Sequence, residues 1–366
     1  MRCALLVCAL GACGRFGFDA LAGAGDASNT GDATDAFVDR ANIVFLTRNG
    51  VSALQVATAD QQCGDAATTA GLQGTFVAWV STTTTAAIDR LAGSRGWVRV
   101  DGAPVADQPA DLLGAGGLYN PIIADEKGLA VLGPGGVWTG TDDTGHLSTG
   151  GNCTDWMVTT GTTQTGEPTS TGVRFTITGA NTNCTGTQRL YCFEVGHVAS
   201  VPPPSQPLPA NVRRVFLSTP LRHDSGPGPF DTQCTTDATG AGLPGTYLAA
   251  ISTSTTSIAG RFAADARPVF RIDGTEIAAN VADFFNTGMQ QMSVVNQKAD
   301  GTYLVSVYPT GAQNPQAVGD LTCNDWTTPN ISAWMGSADC VETGRFWWMQ
   351  GSATCNSTLP VLCIQQ

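Results

Sequence analysis

Residues 70–85 read AGLQGTFVAWVSTTTT, and residues 241–256 read AGLPGTYLAAISTSTT. One pattern is written twice, and its register runs far beyond these stretches. Val44-Phe45-Leu46-Thr47 returns as Val215-Phe216-Leu217-Ser218, and WVRVDG (97–102) returns as VFRIDG (269–274). Four cysteines keep step: Cys63 with Cys234, Cys153 with Cys323, Cys184 with Cys355 and Cys192 with Cys363, at offsets of 170 or 171 residues. A fixed period held over so long a span marks a duplicated structural unit. In both copies a cysteine also stands one residue before Asp-Trp, in GGNCTDWM (150–157) and LTCNDWTT (321–328).

Within each copy the residues give a coarse outline. A lead strand (Val44–Leu46; Val215–Leu217) runs into a helix, with Asp60 and Asp231 placed to cap its N-terminus. Cys63, Ala66, Ala67 and Ala70 share a face, kept by Cys234, Ala238 and Ala241 with Asp237 as an exception. So small a face lets the helix lie close to a sheet. Gly71 and Gly242 supply its stop. The run TFVAWVS, or TYLAAIS, is apolar on both parities, which predicts a buried central strand. The Thr/Ser run then leads into a second helix carrying Ile88 and Leu91, or Ile258 and Phe262. WVRVDG and VFRIDG read as a third strand, and RLYCFEV and LPVLCIQQ close each copy as the last. The expectation is an α+β fold with short strands, two helices per copy and long Gly-rich loops.

Composition narrows the setting. Charged residues make up only 13% of the 366 residues, and 44 glycines favour turns over long helices. A formal charge of −12 repels a phosphate backbone, so nucleic-acid partners are excluded, and an anionic membrane surface is a poor match. Twelve cysteines point to an oxidising, exported location. The opening MRCALLVCALGAC has one Arg, an apolar run and small residues. Its Leu10-Gly11-Ala12-Cys13 resembles a bacterial lipobox, which makes residues 1–12 a signal peptide and Cys13 the lipidated terminus. Such a chain is anchored to a membrane, here the outer membrane, without spanning it. Residues 13–41 then form an acidic Gly/Ala/Asp tether. VPPPSQPLPA (201–210) holds five prolines and predicts a stiff linker at 199–211 between domains 42–198 and 212–366.

The order ADQQCGDAATTAGLQGTFVAWVS, VDG, VWTGTDDTG, NCTDW and LYCFEV resembles the endostatin domain at the C-terminus of certain collagens, related copies of which occur in bacterial exported proteins. The resemblance covers most of 42–196 and, less closely, 213–366. It implies tandem C-type-lectin-like folds, each built on a twisted, mainly antiparallel sheet. It also implies nested disulfides: Cys63–Cys192, Cys153–Cys184, Cys234–Cys363 and Cys323–Cys355. Spacing alone leaves three connectivities per copy. The family's N-terminal zinc-binding histidines have no counterparts here, and its basic heparin-binding surface is not expected in so acidic a chain.

Against this frame the Cys-x-Asp-Trp motif reads as scaffold, a disulfide cysteine beside a core tryptophan. None of the three histidines stands near a paired-cysteine motif, so no metal is expected. DQPAD (107–111) and GEPTS (166–170) miss the calcium-lectin order. AGSRG (92–96) is no nucleophile elbow, and GPGGVW and GAGGLY fail the dinucleotide pattern, so neither catalysis nor a cofactor is expected. The copies differ most where VWTGT (137–141) becomes VYPTG (307–311), and in the second copy's insert AWMGSADCVETGRFWWMQGSA (333–353). There Trp334, Phe346, Trp347 and Trp348 could stack on a sugar or anchor a protein, or could cover the core in place of the Trp138 loop. Cys340 in the same insert is either a buried thiol or a bond to another chain. The expected function is a lipid-anchored, adhesin-like binding or structural protein at the cell surface or in the periplasm, whose partner is a surface protein or glycan. A carbohydrate-binding module using the insert aromatics is the alternative, and an unrecognised enzyme with a polar acid–base cleft the third.

Overall fold

Both copies build the same five-stranded sheet in the computed structural model, which describes residues 40–131, 135–288, 291–341, 348 and 350–366. In the first copy the strand order is Thr75–Ala78, Tyr191–Val195, Asn42–Leu46, Trp97–Arg99, Pro104–Ala106. In the second it is Tyr247–Ala249, Leu362–Gln365, Arg213–Leu217, Val269–Arg271, Glu276–Ala278. The lead strand is central in each. It runs antiparallel to the last strand and parallel to the WVR or VFR strand. A smaller three-stranded sheet accompanies each: Val137–Trp138, Thr162–Gly166 and Asn181–Asn183, then Val307–Pro309, Ser332–Ser337 and Gly351–Thr354. The fold is thus mixed α+β, mostly sheet with few helices.

Alternation along the lead strand sorts the core onto two faces. Phe45 points toward the helix Ala59–Ala70, joining Ala59, Cys63 and Ala67. Val44 and Leu46 point the other way, among Trp79, Trp97 and Leu112. The second copy repeats this with Phe216 against Phe230, Cys234 and Ala238, and with Val215 and Leu217 opposite.

Three local expectations are corrected. TFVAWVS and TYLAAIS lie at the sheet edge rather than its centre. They are apolar on both parities because the helix packs along the edge, and the chain past Ala78 turns into the core as Trp79 and Val80. Asp60 and Asp231 do not cap their helices; Thr58 and Pro227 hold those positions. Each Asp instead accepts the outward amide of the edge strand, Ala78 or Ala249, at 2.9 Å, and pairs with Arg90 or Arg261. That closes an edge which would otherwise template pairing with another chain. The second helix is only a 3₁₀ turn, Ile88–Leu91 or Ala259–Arg261. Gly71 does end the first helix, in the left-handed conformation at φ 79°.

Four disulfides join Cys63 to Cys192, Cys153 to Cys184, Cys234 to Cys363 and Cys323 to Cys355, nested within each copy. The outer bridges span 129 residues each, tying the helix to the last strand. Closing a loop of that length removes about 5 kcal/mol of unfolded-state entropy.

The copies share one unit, residues 39–366. The linker is bonded at both ends: Val201 N donates to Asp107 Oδ1 and Gln206 N to Asp273 O, each at 2.8 Å. Between the copies, Ser170 and Cys340 form an antiparallel bridge. Thr171 N donates to Asp339 O at 2.7 Å, and Val341 N to Thr169 O at 3.0 Å.

Candidate functional site

The repeated Cys-x-Asp-Trp stretch adopts a conformation that its residue types conceal. Cys153, Thr154, Asp155 and Trp156 all have positive φ, between 51° and 63°, and Cys323–Trp326 repeats this at 53° to 64°. Each is one turn of left-handed helix. Trp156 N donates to Asn152 O at 2.9 Å and Met157 N to Cys153 O at 3.1 Å; the equivalent bonds in the second copy are 2.7 and 3.1 Å. For L-residues such a turn costs roughly 1–2 kcal/mol per residue.

Every chemical group of the motif is engaged in offsetting that cost. Cys153 and Cys323 are held by the inner disulfides. Asp155 accepts Thr83 N at 2.8 Å and Thr83 Oγ1 at 2.5 Å, and Asp325 accepts Ser254 N and Oγ at 2.6 Å each. The Thr83 hydroxyl bond, with backbone help, holds the Asp155 carboxyl below its usual range, and Ser254 does the same for Asp325. These bonds lie at the surface, where solvent screening leaves each worth about 1 kcal/mol or less. The Trp156 and Trp326 indoles are buried and donate to Ser81 O at 3.2 Å and Ser252 O at 2.9 Å. Gly140 makes room for the ring, since a Cβ there would lie 2.8 Å from Trp156 Cζ2. The Thr/Ser run is therefore the clamp for the turn.

Behind the tryptophans the copies diverge in a compensated way. Trp138 meets Trp156 edge-on at 5.9 Å and donates to Val51 O, with little Ala59 beside it. In the second copy strand pairing puts Pro309 at the place of Trp138 and Phe230 at the place of Ala59. Phe230 meets the Trp326 ring edge-on at 5.4 Å, and His223 meets the same ring edge-on at 6.4 Å. Phe230 and His223 thus fill the space Trp138 fills in the first copy, and Trp348 lies in the core on the other face of the sheet. His223 is buried, its Nε2 3.0 Å from Leu359 O, and burial pulls its pKa below the ordinary value.

Residues 333–353 are not an insertion: the inner bridges span 31 and 32 residues, and the strand Ser332–Ser337 holds the place of Thr162–Gly166. The aromatic residues of this stretch separate. Trp348 is fully buried, against Phe285 at 5.6 Å, Phe284 at 5.9 Å and Tyr308 at 6.4 Å, so it is a core residue rather than a ligand-stacking one. Trp334 is half-buried on the strand Ser332–Ser337, opposite Ser352, and its indole nitrogen has no hydrogen-bond partner among the described residues. Phe346, Trp347 and Cys13 lie outside the described residues. Cys340 is buried, its thiol sulfur 3.3 Å from Thr169 Oγ1.

Two clefts flank the left-handed turns. One, of about 470 Å³, is lined by Val56, Thr58, Arg90, Asp155, Trp156 and an exposed Met157. The other, of about 380 Å³, is lined by Leu321, Asn324, Asp325, Ile331 and Ser332. Among the described residues no three His, Cys, Asp or Glu side chains converge as metal ligands, and no helix is long and apolar enough to cross a membrane. The clefts offer hydroxyls, an Arg–Asp pair and apolar walls: groups suited to recognition. No protein-family model matches the chain, and no curated protein matches it.

The seam between the copies was missed by sequence reasoning. Its centre is made of Ser, Thr, Asn and Gly, which carry no apolar signal, and the larger residues around it, Tyr119, Arg271, Tyr303 and Val305, are scattered along the chain. Its detectable trace was that GEPTS (166–170) and GSADC (336–340) occupy the same place in the two copies.

Proposed function

We propose that this chain is an exported, disulfide-bonded binding or structural protein, adhesin-like, with two endostatin-like modules of C-type-lectin-like fold. It is anchored through lipid on Cys13 to the bacterial outer membrane and offers its clefts to a surface protein or glycan. The observation that carries this reading is the fate of the repeated motif. Its cysteine, carboxylate and indole are each spent on holding a left-handed turn, in both copies. Side chains arranged to keep a loop rigid, beside a cleft lined by hydroxyl and apolar groups, suit a recognition surface. Four buried bridges support an oxidising location. With Trp348 in the core, the glycan alternative rests on Trp334 and on Phe346 and Trp347, which lie outside the described residues.

Intact protein applied to arrays of matrix proteins and glycans tests the reading. Specific signal is expected on at least one array. Loss of glycan signal in Trp334→Ala would select the lectin alternative, and silence on both arrays would sink the binding reading. A palmitate analogue should label the wild type and not Cys13→Ser; equal labelling would remove the anchor.

A further inference from the structure

At two places the contacts between the copies are reciprocal. Ser170 and Cys340 occupy equivalent places, at the same 170-residue offset as Cys153 and Cys323, and they face each other across the seam. The bonds around them exchange roles: Thr171 N reaches Asp339 O, and Val341 N, the equivalent donor, reaches Thr169 O, the equivalent acceptor. A second equivalent pair also touches. Bridges between Ala124 and Ala130, and between Gln297 and Tyr303, align Asn120 with Ser293, whose Oγ donates to Asn120 Oδ1 at 2.6 Å. A surface that meets its own equivalent is the signature of a twofold dimer. Domains brought together only by a linker have no reason to join like to like.

The seam is also closely fitted. A Cβ on Gly117 would lie 2.7 Å from Val305, and one on Gly172 would lie 2.3 Å from Asp339 Oδ2. Asn296 Nδ2 donates to Leu118 O at 2.9 Å, and the buried guanidinium of Arg271 donates to Tyr119 O at 3.0 Å. The Tyr119 and Tyr303 rings meet at a tilt, their centroids 5.1 Å apart. Asn120, Ser170, Thr171, Ser293 and Asn296 are all buried, and each has a partner across the seam.

We infer that this seam is an association surface in its own right, and that the partner it fits is a second copy of the same module. The chain is a dimer written as one polypeptide. The linker supplies the partner at the millimolar effective concentration of a short tether, which keeps the intact chain closed on itself. All four disulfides lie within a copy, so cutting the linker leaves only the seam to hold the halves.

The test inserts a protease site after Pro203, in the exposed part of the linker between its anchors at Val201 and Gln206. After cleavage, native mass spectrometry at micromolar concentration should show the halves as a 1:1 complex. Mixing with isotope-labelled cut protein should give complexes of intermediate mass. Halves that run separately, or labelled and unlabelled halves that never recombine, would overturn the inference. Ser170→Arg places a bulky charge at the centre of the seam. Its cut form should dissociate at least 100-fold more readily, while the uncut form keeps the wild-type circular dichroism. A cut Ser170→Arg complex as tight as wild type would show that the halves adhere elsewhere and would also overturn it.

Discussion

Replacing Ser170 with cysteine should staple the two copies together. Ser170 and Cys340 are a non-hydrogen-bonded antiparallel pair, because the flanking bonds run from Thr171 to Asp339 and from Val341 to Thr169. Such pairs have Cα atoms about 4.5 Å apart with side chains on one face. That lies inside the range of roughly 4.4–6.8 Å that a disulfide bridges. Serine to cysteine adds little volume, so Ser170→Cys folds as the wild type does. The new loop runs through the existing Cys234–Cys363 bridge, which shortens it to roughly 90 residues, worth about 4.5 kcal/mol of loop-closure entropy. Scaled by the unfolding entropy of a chain this long, that raises Tm by about 6 °C. Scanning calorimetry with and without reductant reads the shift, and non-reducing peptide mapping should find residue 170 linked to Cys340. If both thiols remain titratable in the folded, oxidised variant, the pairing of equivalent positions is wrong.

Two further outcomes follow from the second copy's core. His223 sits with a depressed pKa, so the unfolded chain takes up its proton first; stability is full above about pH 6.5 and falls as pH drops toward the folded value. Thermal melts between pH 7 and 5 should show this slope in the wild type and a flatter one in His223→Gln; identical slopes would reject it. Phe230→Ala should cost about 3–5 kcal/mol, and Ala59→Phe about 1–3 kcal/mol by crowding Trp138. Adding Trp138→Ala to Ala59→Phe should recover part of the loss in denaturant titrations, whereas simple additivity would refute the compensation.

The duplicated register was legible because cysteine offsets survive substitution, and they placed equivalent strands in both halves. The α+β class followed from short β-rich runs such as TFVAWVS and from the small helix face of Cys63, Ala66, Ala67 and Ala70. The edge position of TFVAWVS was not legible: a strand flanked by a helix and one flanked by strands are both apolar on two sides. Nor was the role of Asp60, since a carboxylate near a helix start suits a cap and a strand amide equally well. The left-handed turn carried no warning, because neither copy places a glycine within Cys-x-Asp-Trp. Its conformation is imposed from outside, by Thr83 or Ser254 and by the inner bridge. Trp348 could not be told from Phe346 and Trp347 in sequence; Phe284, Phe285 and Tyr308, distant along the chain, make it core.

The exchange of bulk behind Trp156 and Trp326 bears on the gene as well as the protein. Tandem repeats invite recombination, and a crossover between the copies would join the front of one to the back of the other. A hybrid keeping Ala59 with Pro309 would enclose a void, and one keeping Phe230 with Trp138 would be overpacked. The two halves have become mutually dependent in their pairing yet incompatible as spare parts. A duplication of this kind resists collapse back to a single unit.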